Sequence, residues 1–195
     1  MQLHPLSIAF DGLVGSSLMF ALMWVITNSG LANCNMVAAI GSMLTSDRNR
    51  EGLLGFSIYI LGGLLFAAVY NVLLTMINIQ SATLMIGASI FIGFAHGLVV
   101  SFAIIAIFSE RHLDTRFQNA SIGIGIAHLI AHMLYGLSIG VLFCLRMNLI
   151  SSTVLNDKSP LFIYSMVALA ALPFIMSIFS IDKRLHNLIV QKKHI

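Results

Sequence analysis

"GIAHLIAHMLYGLSIG", residues 125–140, carries no Lys, Arg, Asp or Glu and places two histidines four residues apart among small and apolar residues. Successive residues of an α-helix turn by about 100°, which sorts this stretch and its neighbours into two arcs. One arc holds Ser121, Gly125, His128, His132, Tyr135, Gly136 and Ile139, and the opposite one Ile126, Ile130, Met133, Leu134, Leu137 and Val141. Large apolar side chains suit lipid, whereas small and ionisable ones face the interior of a bundle. The stretch therefore reads as a membrane-spanning helix with its histidines turned inward.

The rest of the chain has the same character. Its 195 residues are 58% hydrophobic and 9% charged, with a mean hydropathy of +0.97. Soluble domains carry about 25% charged residues. A net charge of +3 is too small to point to nucleic acid. Five apolar stretches, 6–28, 52–77, 81–108, 120–145 and 160–181, are long enough to cross ~30 Å of hydrocarbon. We expect an all-α, polytopic transmembrane bundle, one domain over residues 1–181 followed by a basic cytoplasmic tail at 182–195. Between the first two spans, residues 32–45 are too few for a sixth and read as a helix lying on the membrane, re-entering it, or tucked against the bundle.

Charge placement supports five spans. One side collects Arg48, Arg50, Arg111, Arg116, Lys183, Arg184, Lys192 and Lys193, the other only Arg146 and Lys158. By the positive-inside rule the expectation is a cytoplasmic (inner) membrane, with the N-terminus outside and the C-terminus in the cytoplasm. No basic residue precedes the first apolar run, so that run is expected to remain a span rather than a cleaved signal. Cys34 and Cys144 fall on opposite sides, and no disulfide is expected. The Asn119 sequon is placed inside and discounted. The alternating charges of "SERHLDTR", residues 109–116, read as a solvated loop that includes His112.

A weak repeat relates "FDGLVGS" (residues 10–16) to "AHGLVVS" (95–101), and "YILGGL" (59–64) to "HMLYGL" (132–137). It would make spans 1–2 and 3–4 a duplicated helix pair of the kind seen in transporters, with Asp11 matching His96 and Tyr59 matching His132. Over roughly residues 8–145 the chain also resembles a broad family of small bacterial integral membrane proteins of unknown function. The shared features are a glycine-rich first span, an amphipathic segment after it, and the "HMLYG" stretch at 132–136. In that family the second span often carries a histidine where this chain has Tyr59, so the resemblance assigns no role to this position. It implies no activity.

The third span repeats the design of the fourth, since His96 shares an arc with Ser89, Gly93 and Gly97. "GFAHG" and "GLSIG" both put glycines four apart, the spacing that lets helices approach closely. Helix packing is therefore expected at Gly93, Gly97, Gly125, Gly136 and Gly140. His96 and His132 lie near the middle of their spans and are expected to meet. The leading expectation is a structural or accessory membrane component that packs through its glycine faces with itself or with other membrane subunits. In that reading the buried histidines are interhelical hydrogen-bond partners. A second reading is a small transporter or channel, its proton or solute path lined by His96, His128, His132, Tyr135, Ser89, Ser121 and Asp11, with Tyr70 and Asn71 as further partners. A third is a metal or haem site on His96, His128 and His132. No catalytic residues are expected, because Leu129 stands where a zinc protease motif needs glutamate and no nucleophile–base pair stands out. Asp11, about a turn and a half into its span, is expected to reach toward the outer headgroups or water.

Overall fold

A computed structural model describes residues 4–118 and 121–148. The expected span at 160–181 and the basic tail at 182–195 lie outside the described residues, as do Asn119 and Lys158. The elements are α1 (Pro5–Asn28), α2 (Met36–Leu44), α3 (Arg48–Ile77), α4 (Ala82–Arg111), a 3-10 turn at Thr115–Phe117, and α5 (Ile122–Arg146). Among the described residues there is no strand. Four of these helices, α1, α3, α4 (over Ala82–Ile104) and α5, are long and apolar enough to cross a membrane. The chain is a multi-pass helical membrane protein.

Local chemistry sets the ends. Pro5 opens α1, where a missing N–H costs nothing, and Asn78 ends α3 in the left-handed conformation with φ 49°, a geometry asparagine tolerates. The α3 helix begins four residues before its apolar run. Asp47 caps it by accepting from the Asn49 N–H at 2.9 Å, and Glu51 lies in its first turn, where a negative charge favours the helix N-terminus.

The α2 helix settles how residues 32–45 are placed. Its 9 residues rise only about 14 Å, too short to span, and it folds back against α3. A Cβ on Gly41 would collide with the Glu51 backbone, and one on Gly55 with the Val37 carbonyl. The two helices therefore touch backbone to backbone, so α2 is tucked into the protein.

The core is built around α5, whose buried residues run from Gly125 to Cys144. It packs along α4 on one side and α1 on the other, while α1 also packs on α3. Contact between α3 and α4, although they are consecutive, is slight. The arcs expected for α5 hold: His128, His132, Tyr135, Gly136 and Ile139 are buried, whereas Ile126, Ile130 and Leu137 are exposed. Cys34 and Cys144 are buried free thiols, held near Thr27 and Ala82 respectively, at opposite ends of the bundle.

Both α1/α3 and α4/α5 are antiparallel pairs, but they do not share a packing register. A Cβ on Gly12 would lie 3.0 Å from the Gly63 carbonyl oxygen. The repeat counterparts of these glycines, Gly97 and Gly136, do not meet each other. Gly97 packs against the His132 side chain, and Gly136 against Ser89 and Gly93. The sequence similarity thus covers pairs that cross at different heights.

Candidate functional site

A close joint between α4 and α5 positions the histidines. A Cβ on Gly93 would lie 2.5 Å from the His132 carbonyl oxygen, and one on Gly97 2.7 Å from the His132 Cβ. Glycines at these two positions of α4 let α5 approach until the two backbones nearly touch. Serine hydroxyls finish the joint. Ser89 donates to the Gly136 carbonyl at 2.6 Å and Ser101 to the Gly125 carbonyl at 2.9 Å. Gly140 also packs on the Ser89 side chain. Gly93, Gly97, Gly136 and Gly140 thus lie in the α4–α5 contact, and Gly125 is buried and reaches α4 through its carbonyl. Ser89 accordingly serves as a clamp between α4 and α5, not as a free group lining a path.

At this joint the His96 and His132 rings meet edge to face, 4.6 Å apart at 81°. His96, on α4, also stacks on Phe66 of α3 at 4.0 Å, and its Nδ1 lies 3.3 Å from the Tyr70 hydroxyl. Tyr70 packs edge-on to Tyr135 at 5.4 Å, and the Tyr135 hydroxyl donates to the Gly63 carbonyl at 2.5 Å. His96 and the two tyrosines thus bridge helices that otherwise touch little.

The protonation of His132 follows from its partner. Its Nδ1 lies 2.8 Å from the His128 carbonyl, and a carbonyl only accepts, so Nδ1 carries hydrogen and Nε2 is left as an acceptor in the neutral ring. That bond stays within α5 and joins no helices. His128 is only 1% exposed, its ring 6.4 Å from that of His132. Among the described residues neither of its nitrogens has a hydrogen-bond partner, and nor does Nε2 of His96. A buried polar group left unpaired costs about 1–3 kcal/mol, and native structures hold few of them. Among the described residues, His96 is the one of the three histidines with an interhelical hydrogen bond.

Two expected members are absent from the cluster. Ser121 is exposed at the start of α5, outside the buried part of its arc. Asp11 does not reach toward headgroups but is fully buried, in an ion pair with Arg146. The guanidinium donates to both Asp11 oxygens, at 2.5 and 2.7 Å, and to the Asn71 side-chain oxygen at 2.6 Å. Asn71 donates in turn to Asp11 and to the Ala67 carbonyl, both at 2.9 Å. Arg146, read from the sequence as a loop charge that sets topology, is instead the counter-ion of a buried carboxylate. Its position at the end of a span, beside an Asp near the start of another, was the available signal.

At the opposite end of the bundle, Arg116 pairs with Glu51 at 2.7 Å and with Asp114 at 2.6 Å. The Arg116 guanidinium holds the Asp114 carboxyl down to a pKa of about 2. His112, expected in a solvated loop, is 2% exposed. Its Nδ1 accepts from the Asp114 N–H at 3.0 Å, so its Nε2–H donates to the Ala39 carbonyl at 3.1 Å and ties the loop to α2.

No group of three His, Cys, Asp or Glu side chains among the described residues is arranged to hold a metal ion. His132 has one nitrogen committed to its own helix, and its ring lies 4.6 Å from that of His96 and 6.4 Å from that of His128. Comparison with protein-family models, with curated proteins and with solved structures finds no match to this chain.

Proposed function

We propose that the chain is a small multi-pass transport protein of the cytoplasmic membrane, with His96, His132 and His128 as its intramembrane polar path. The observation that carries this reading is His128, buried in α5 with both ring nitrogens unpartnered among the described residues, while Ser89, Ser101 and Tyr135 are satisfied. A purely structural histidine would be expected to bond across the joint. An unpaired one is available to a proton or to a small hydrogen-bonding solute. Asp11 is neutralised by Arg146, so among the described residues no ion pair supplies a counter-charge to the histidines. That favours neutral imidazoles, with any charge present only in passage.

Arg48, Arg50 and Arg116 lie at the end of the bundle shared by the C-terminus of α1 and the N-termini of α3 and α5. This supports an N-terminus outside and that end facing the cytoplasm.

The test is flux in vesicles containing the full chain, read with a pH-sensitive dye for protons and by light scattering for urea. His128→Leu is expected to cut flux at least about tenfold. The same variant should unfold no more easily than the parent, because it removes an unpaired polar group costing about 1–3 kcal/mol. Flux no faster than in empty vesicles, or unchanged in the variant, sinks the proposal.

One observation favours the structural or accessory role instead. Among the described residues, Gly52, Gly62 and Gly87 have nothing within 4 Å of a would-be Cβ, which leaves these faces of α3 and α4 open to another helix. Under that role a His96→Ala/His132→Ala double variant would alter assembly. Normal assembly with lost flux would support transport.

A further inference from the structure

Between the three histidines and the end of the bundle where α5 finishes stand the aromatic pair Tyr70–Tyr135 and, beyond it, the Asp11–Asn71–Arg146 cluster. This cluster draws together α1, α3 and α5. Asp11 and Asn71 are fully buried, whereas the Arg146 side chain keeps 26% of its surface exposed. A partly exposed arginine side chain gripping a fully buried carboxylate forms a cover that can lift outward.

The cover is coupled to the site through adjacent residues. Asn71 holds the ion pair, and Tyr70, next to it in the same helical turn, contacts His96 Nδ1 at 3.3 Å. A shift of α3 that frees Asn71 from Arg146 therefore also moves Tyr70 on His96. Contact between α3 and α4 is otherwise slight, so the α3–α4 joint itself opposes such a shift little.

We propose that Asp11, Asn71 and Arg146 form a gate that closes the histidine site toward the Arg146 end of the bundle and opens when the guanidinium leaves the carboxylate. The proposal rests on the transport reading for its purpose, but its test reads access and not flux. Ala131 is fully buried, one helical turn from both His128 and Tyr135. An Ala131→Cys reporter is placed in the full chain with Cys34→Ala and Cys144→Ala, in phosphatidylcholine vesicles, and exposed to a water-soluble methanethiosulfonate.

With the gate intact, labelling is expected to be slow. In Asp11→Asn/Arg146→Gln, which removes both charges together and leaves neither unpaired, labelling is expected to be about tenfold faster or more, following the larger open population. Asn71→Ala, which spares the ion pair but cuts its link to Tyr70, is expected to fall between the two. Helix content and melting, measured on the same samples, separate opening from unfolding. Equal labelling of the parent and of a folded double variant overturns the gate, as does fast labelling of the parent. A gate that responds here beside a His128→Leu variant of undiminished flux would leave the gate standing and remove the path.

Discussion

Arg146→Gln is expected to destabilise the protein by about 3–5 kcal/mol, the usual cost of stripping one partner from a buried ion pair. Asp11 has no solvent exposure, and two of its three side-chain hydrogen bonds come from Arg146, the third from Asn71. Without the guanidinium the carboxylate must either take up a proton or remain desolvated with a single amide donor. The Asp11→Asn/Arg146→Gln pair is expected to recover much of that loss, since amides can replace charge-assisted bonds without leaving a charge behind. Detergent unfolding titrations of the parent, both single variants and the double variant form the cycle that measures this coupling. Additive losses, with no recovery in the double variant, would show that the pair contributes nothing as a pair.

Gly55→Ala carries the other large effect, for a steric reason. The new Cβ would collide with the Val37 carbonyl, which belongs to a helix backbone and cannot rotate away. Overpacking of this kind costs about 1–3 kcal/mol and sometimes more. Here the least costly relief is for α2 to lift off α3. That would also disturb the His112–Ala39 bond on the other face of α2. Gly52→Ala, three residues earlier in the same helix with nothing within 4 Å, is the control. It is expected to leave stability unchanged or raise it by up to about 1 kcal/mol through helix propensity alone. Hydrogen exchange of α2 amides reads the difference. Equal exchange in the two variants would mean that α2 does not depend on the close contact at Gly55.

Much of the histidine joint was legible from spacing. The period of α5 placed His128, His132, Tyr135 and Gly136 on one buried arc, and the glycines of α4 marked where His132 could approach. The charged cluster was less legible. Asp11 and Arg146 are 135 residues apart, and each has an ordinary explanation on its own, a snorkelling acid and a loop base. The same holds for Arg116 and Glu51, 65 residues apart, and for His112, whose surrounding charges suggested water although its ring is buried. Ser121 erred in the other direction. It falls on the correct arc, but at the end of the helix, where burial stops.

What the sequence by itself determined is the class of the protein, the four described spans and the inward face of α5. These follow from hydropathy and helical period, which are properties of neighbouring residues. Only the tertiary structure decided that α2 folds onto α3, that Tyr70 reaches His96, that Arg146 neutralises Asp11, and that His128 has no partner among the described residues. Each of those depends on the depth and rotation at which separate helices meet. Contacts between small residues set that depth and rotation, and a glycine carries no mark of which backbone it will touch.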